Sequence, residues 1–215
     1  PGMGLSLGEL RFPARGLLIS NHMSYLDILV YSSISPCVFV SKKEVKSWPI
    51  FGPMARMAGT VFIDRSRSAD TRRVNAEMEE ALSRGAVVVL FPEGTSSDGT
   101  SVLPFRPALF DAAVRANESI TPAHLGYDVP DGSPGNDVGY WGPMSFFPHL
   151  LKLLSKRGIR AQIKFSSEPR KFEDRKLAAQ ETHEMVLALA RLSPAQPASA
   201  RRSSARPAEM LPDAD

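Results

Sequence analysis

The chain of 215 residues contains one cysteine and four histidines, and nowhere a run of about 18 uncharged apolar residues. A lone Cys37 excludes an intrachain disulfide and a cysteine cage for zinc, and reads as a small apolar residue within a strand. Without a long apolar run, membrane contact by this stretch of chain is expected to be peripheral. A basic start followed by an apolar core is also lacking, so no signal peptide is read. No histidine falls into a metal-ligand spacing, and no nucleic-acid-binding motif is present; neither a metal nor nucleic acid is expected. Strong charge bias is missing too, with a formal net charge of +3. The charge is uneven, however: from Lys152 to Lys176 there are nine Lys/Arg against three Asp/Glu. Such a surface favours phosphates or membrane headgroups.

What is present is an ordinary globular composition, 43% hydrophobic, long enough for one domain with a sizeable core. Gly2, Gly4, Gly8, Pro13 and Gly16 predict an irregular lead-in over residues 1–16. Strands are expected near 17–20, 37–40, 60–63, 86–91, 120–127 and 159–165, with helices near 24–33, 53–58, 69–84, 107–116, 148–157 and 174–192. The runs Cys37-Val38-Phe39-Val40 and Ala86-Val87-Val88-Val89-Leu90-Phe91 are continuously apolar, which suits strands covered on both faces. Val74, Met78 and Leu82 fall on one stripe of the helix near 69–84, and Gly85 stops it. Strand, helix and strand over 60–91 then make a parallel crossover. The fold class read from this order is α/β, a mixed, largely parallel sheet flanked by helices.

Residues 1–192 form the domain, and Asp128 to Gly139 a surface loop. Ser193–Asp215, rich in Pro, Ala, Ser and Arg, is expected to be disordered because it offers too little apolar surface to offset ordering entropy. Two aromatic stretches lie beside basic residues: Trp48 and Phe51 near Lys42, Lys43 and Lys46, and Tyr140 to Phe147 near Lys152, Lys156 and Arg157. Each reads either as a membrane-interface surface or as apolar packing under the sheet.

The chemistry concentrates after the first buried strand, in Asn21-His22-Met23-Ser24-Tyr25-Leu26-Asp27. On a uniform helix five steps place His22 and Asp27 roughly 140° apart, so they meet only if His22 lies outside the helix. Ser24-x-x-Asp27 supplies a capping-box start that puts His22 in the strand-to-helix loop. Asp27 as a plain cap is the bland reading of the same residues. Two further stretches follow in order, Gly59-Thr60-Val61-Phe62-Ile63-Asp64-Arg65 and, after a second buried strand, Phe91-Pro92-Glu93-Gly94-Thr95.

Together these three blocks resemble the phospholipid/glycerol acyltransferase (PlsC-type) family, whose signature is His-x4-Asp, then Gly…Phe-Ile-x-Arg, then Phe-Pro-Glu-Gly-Thr. The resemblance covers residues 16–127 well and the remainder loosely. It implies transfer of a fatty acyl group from coenzyme A or acyl carrier protein to a lysophospholipid hydroxyl, with no cofactor. His22 is then the base and Asp27 its holder, while Arg65, Glu93, Gly94 and Thr95 form the acceptor site. The implied acceptor is 1-acylglycerol-3-phosphate, but Ser96 stands where many users of that lipid carry a basic residue, and the stretch to Gly99 looks like a bacterial subgroup associated with lyso-ornithine lipid. Arg106 is the candidate that compensates for the lost charge. Pro122 stands at the family's weaker fourth block and is expected to shape the acyl or acceptor pocket. His124, His149 and His183 are read as structural or exposed.

The resemblance places the protein peripherally on the cytoplasmic face of a bacterial inner membrane. Because the chain begins at Pro1 and family members often carry hydrophobic helices ahead of the first block, a lost N-terminal anchor is part of that expectation. Competing readings are an acyl thioester hydrolase and a noncatalytic lipid-binding module. The serine version of a hydrolase needs a Gly-x-Ser-x-Gly elbow, and none is read in the chain.

Overall fold

A computed structural model describes residues 2–7, 12–42, 52, 60–63 and 68–192. Gly16–Ser20 (β2) is buried along its whole length because its side chains alternate between two apolar layers. Leu18 faces one layer; Leu17 and Ile19 face the other. Val87–Leu90 (β5) divides in the same way, Val87 and Val89 against Val88 and Leu90. Burial on both faces is the condition of a central parallel strand, and β2 lies parallel to β5 on one side and to Ile120–Asp128 (β6) on the other. Val38–Lys42 (β3) pairs in parallel with β5, and Val61–Ile63 (β4) with β3. Gly158–Phe165 (β7) runs antiparallel to β6, and Gly2–Leu7 (β1) lies parallel to β7 at the far edge. The result is a seven-stranded mixed sheet in the order β1-β7-β6-β2-β5-β3-β4.

Helices cover both faces. Leu26–Ser32 (α1) and Phe146–Leu154 (α4) pack on the Leu18 side, while Ser68–Ser83 (α2), Asp111–Arg115 (α3) and Arg175–Arg191 (α5) pack on the Leu17 side. In α2 the stripe Val74, Met78 and Leu82 is fully buried, each side chain contributing about 1.5–3 kcal/mol on transfer from water. Gly85 closes that helix with φ +79°, its N–H donating to the Leu82 carbonyl at 2.9 Å. Asp174 caps α5 by accepting the N–H groups of Lys176 and Leu177, both at 2.8 Å.

The structure departs from the sequence reading in several places. The lead-in is not irregular throughout, since Gly2–Leu7 forms an edge strand. Glycine's poor strand propensity is overridden there by pairing with β7, and the alternation Met3, Leu5, Leu7 was the available signal. The string Gly4-Leu5-Ser6-Leu7-Gly8 does match Gly-x-Ser-x-Gly, but Gly4–Leu7 lies within β1 and not at a strand-to-helix turn, so it builds no nucleophile elbow. Helix 148–157 instead spans Phe146–Leu154, which puts Pro148 in the first turn, where its missing N–H costs nothing. Helix 107–116 begins as a 3₁₀ turn, Pro107–Phe110, before α3. The loop after β6 contains a π-helical turn, Pro134–Val138. The expected helix near 53–58, the Trp48 stretch, Arg65 and the tail 193–215 lie outside the described residues, apart from Gly52 beside that stretch.

Chain direction fixes where a site can form. After β2 the chain crosses to β3 on the β5 side, whereas after β5 it crosses to β6 on the opposite side of β2. The neighbouring carboxyl ends of β2 and β5 therefore open a crevice, the position at which parallel sheets bind ligands.

Candidate active site

His22 stands two residues beyond β2, held from both directions. Asn21 continues the β2–β6 ladder with its side chain: its Nδ2 donates to the Leu125 carbonyl at 2.9 Å and its Oδ1 accepts the Leu125 N–H at 2.8 Å. The imidazole then stacks on Phe91 at the end of β5, with ring centroids 4.2 Å apart and planes 14° from parallel. Its Nδ1 donates to Asp27 Oδ2 at 2.8 Å, leaving Nε2 as the ring nitrogen outside that bond. The His22 side chain keeps 21% of its surface, whereas Asp27 is fully buried.

A buried carboxylate needs donors on both oxygens, and Asp27 has them. Oδ2 also accepts the N–H groups of Met23 at 2.7 Å and Ser24 at 3.0 Å; Oδ1 accepts Tyr127 Oη–H at 2.7 Å. Burial raises the Tyr127 phenol well above its ordinary range, so this hydroxyl stays a proton donor to the carboxylate. The reach of Asp27 back to Ser24 is the carboxylate half of a capping box, but helix α1 begins at Leu26 with Tyr25 as its cap, and Ser24 Oγ accepts only the Leu26 N–H at 3.3 Å. Thus Asp27 serves the helix start and the histidine together.

Glu93 lies beside this pair, 3% exposed. Its Oε1 accepts the His22 backbone N–H at 2.9 Å and its Oε2 the Leu103 N–H at 3.3 Å. The carboxyl therefore pins two loops and does not project into open space. Desolvation by burial pushes its pKa up from 4.5 to about 7, with the Asp27 charge adding to the rise and the two backbone donors opposing it. The Ser97 N–H donates to the His22 carbonyl at 3.0 Å, so both backbone groups of His22 are held by the stretch that begins at Glu93.

Gly94 adopts φ +75°, and a Cβ there would lie 2.7 Å from Arg106 Nε. The left-handed φ favours glycine, and a Cβ would displace the Arg106 side chain that rests against the Gly94 backbone. Arg106 is exposed and forms no ion pair among the described residues; its backbone N–H donates to the Pro92 carbonyl at 3.0 Å. Thr95 is exposed at the same rim. Ser96 Oγ donates to the Tyr140 carbonyl. Six of the seven residues singled out in the sequence are thereby brought to one crevice, and the seventh, Arg65, lies outside the described residues.

Tyr127, Asn21 and the backbone role of Glu93 were not foreseen. The remaining histidines have partners the sequence did not reveal. His149 Nδ1 is 3.0 Å from Tyr25 Oη, within an aromatic cluster of Tyr25, Tyr140 and Phe146. His183 Nε2 is 3.3 Å from the Val102 carbonyl and edge-on to Phe105. Burial first, and Lys164 second, push His124 down to about 4, so it is neutral at pH 7. The Cys37 thiol is pushed up to about 11 by burial, which keeps it from acting as a thiolate. Among the described residues no three His, Cys, Asp or Glu converge where a metal could sit.

Known proteins resemble the chain in sequence and in fold. A family model described as "Acyltransferase" matches residues 8–126. The lyso-ornithine lipid O-acyltransferase of Rhizobium meliloti is 37% identical over 170 residues, covering 74% of this chain and 58% of its own length. The 1-acyl-sn-glycerol-3-phosphate acyltransferase of Neisseria gonorrhoeae is 40% identical over 127 residues, covering 58% of this chain and 50% of its own. The chain thus spans between half and two thirds of the length of these relatives. The crystal structure of the 1-acyl-sn-glycerophosphate acyltransferase of Thermotoga maritima superposes with a TM-score of 0.59 at 20% identity, over 88% of this chain and 71% of that one, and so shares the fold. With the family match spanning more than half of its residues and the His-x4-Asp pair assembled at the end of β2, the chain belongs to the acyltransferase family.

Proposed function

We propose that the protein is an O-acyltransferase that moves a fatty acyl group from a thioester, acyl-coenzyme A or acyl carrier protein, to the hydroxyl of a lysolipid. The observation that carries this reading is the His22–Asp27 pair, held on every polar atom of the carboxylate. With Nδ1 committed to Asp27, Nε2 takes the acceptor's hydroxyl proton as the alkoxide oxygen attacks the thioester carbonyl. A C–O bond forms, the C–S bond breaks, and the imidazolium returns the proton to the departing thiolate. Asp27 fixes the tautomer and balances the imidazolium, while Phe91 sets the plane of the ring. No protein nucleophile is needed. Ser24 is fully buried, and Cys37 is held as a thiol.

Arg106, Gly94 and Thr95 form the rim that receives the acceptor headgroup, with Arg106 supplying a fork for an anionic group. Glu93 acts by holding that rim to the base. Lyso-ornithine lipid is the favoured acceptor: Ser96 contributes no cation, and the relatives named for that lipid match over the longer stretch. A second reading, 1-acylglycerol-3-phosphate, is supported by the exposed Arg106 guanidinium, which suits a phosphate. Either acceptor resides in a membrane and the donor in the cytoplasm, so the protein works peripherally at the cytoplasmic face.

The test is thiol release from palmitoyl-coenzyme A by the wild type and His22→Ala, with lyso-ornithine lipid, lysophosphatidate or no acceptor. Removing a general base should lower turnover by about 100-fold or more. Release that depends on one acceptor and on His22 supports the transferase and selects its substrate. Acceptor-independent release means a thioester hydrolase, and unchanged turnover in His22→Ala removes the mechanism.

A further inference from the structure

We propose that the outer face of α4, with Trp141 beside it, is the surface that seats the protein on an anionic bilayer and opens its site toward the lipid phase. This rests on the lysolipid reading above. The inner face of α4 is spent on the core: His149 and Leu153 are buried, and Phe146 and His149 pack edge-on against Tyr25. The outer face is apolar as well. Phe147, Leu151 and Leu154 are 63%, 65% and 59% exposed. Spaced by four and three residues, they fall on one stripe of the helix. A row of large apolar side chains in water marks a contact surface rather than a solvated face.

Charge selects the occupant. From Phe146 to Arg160 there are four Lys/Arg and no Asp/Glu. Asp137 faces both Lys152 and Lys156, at 3.2 and 2.9 Å, and Asp128 pairs with Arg160 at 3.5 Å. Asp131 accepts the Arg157 backbone N–H at 3.1 Å, and the Arg157 guanidinium forms no ion pair among the described residues. The four cations outnumber these three acids by one, and the Arg157 guanidinium carries the excess charge. A second copy of the chain would bring like charges together, whereas anionic headgroups complement them while the stripe enters the acyl region.

Position gives the surface its use. Trp141, 39% exposed, follows Tyr140, whose N–H donates to the Met23 carbonyl at 2.8 Å and whose carbonyl accepts Ser96 Oγ–H. Met23 follows the base and Ser96 follows Thr95, so the apolar patch begins at the rim of the crevice. A lysolipid drawn from the bilayer would reach His22 along this edge with its acyl chain still in apolar surroundings.

The experiment compares the wild type with a variant carrying Phe147→Ser, Leu151→Ser and Leu154→Ser, all solvent-facing, by co-sedimentation with phosphatidylglycerol and phosphatidylcholine vesicles. Wild type should sediment with the anionic vesicles, and the variant should lose roughly tenfold or more of that partition. Turnover with a lysolipid embedded in vesicles should fall by a similar factor, while turnover with a short-chain lysolipid dissolved in buffer stays within about twofold. Equal sedimentation of the two proteins overturns the proposal. So does a wild type that elutes as a dimer and a variant that elutes as a monomer, which would assign the face to a second copy. Wild type that binds vesicles yet is inactive on the dissolved lysolipid would instead fail the transferase reading and leave the docking surface standing.

Discussion

Tyr127→Phe isolates a distant support of the His22–Asp27 pair. The substitution keeps the ring, which is 8% exposed in the core, and removes only the hydroxyl that donates to Asp27 Oδ1 at 2.7 Å. Asp27 has no exposed surface, so water does not replace that donor. A hydrogen bond to a charged group contributes about 1.5–3 kcal/mol, and leaving its buried acceptor unsatisfied puts the cost at the upper part of that range. For a domain of this size each kcal/mol lowers Tm by roughly 2–4 °C, so a fall of about 4–12 °C is expected by thermal melting. Kinetically, Asp27 loses one of the bonds that fix its rotation, and the His22 ring loses alignment with it. Turnover should fall by about tenfold to a hundredfold, with KM unchanged for both substrates because the hydroxyl reaches neither. Thiol release from palmitoyl-coenzyme A measures this directly. In an Asp27→Asn background the same substitution should have little further effect on turnover, since the two act through one hydrogen bond. A drop in Tm with wild-type turnover, or an equal loss of turnover in both backgrounds, would refute the positioning role.

Glu93, whose pKa rises from 4.5 to about 7 on folding, binds its proton more tightly in the folded state, so it favours folding below about pH 4.5 and that advantage is lost as the pH rises through 7. The span corresponds to about 3 kcal/mol, and chemical denaturation of wild type and Glu93→Gln across pH 5 to 8 should show a decline in the first that is missing in the second. Gly94→Ala forces a positive φ on alanine and pushes the Arg106 side chain away; acceptor KM should rise about tenfold with donor KM unchanged, as read from initial rates, and equal changes in both would count against Arg106 as a headgroup contact. Asn21→Ala strips the Leu125 N–H and carbonyl of their partners, and urea unfolding should report a loss of about 2–4 kcal/mol.

The legible parts of the fold were those written in short-range patterns. The stripe Val74, Met78, Leu82 located α2, and the apolar runs at Leu17 and Val87 located the two central strands. The His22–Asp27 pairing was legible because a capping residue between them implied a loop geometry in which they meet. Tyr127 was not, since a tyrosine one hundred residues from its partner looks like any aromatic in a strand. Glu93 lies next to His22, as the order of the blocks suggested, but the use of both its oxygens on backbone amides depends on where Leu103 returns, which no local pattern specifies. Strand β1 was hidden by its glycines, although its pairing with β7 shows that an edge can be filled by a weak strand when the neighbour supplies the ladder.

The distances along the chain at which His22 and Asp27 are secured also bear on the order of folding. His22 and Asp27 are five residues apart, but the fastenings that hold them come from 71 residues away at Glu93 and 100 at Tyr127, and Asn21 meets Leu125 across 104. Contacts of such separation form late, after loop-closure entropy has been overcome. A refolding chain should therefore regain helical circular dichroism before it regains turnover, and the competent site should emerge only with the final docking of β6 against β2. Nascent chains that stop short of Tyr127 would carry the complete His-x4-Asp sequence and still be inert.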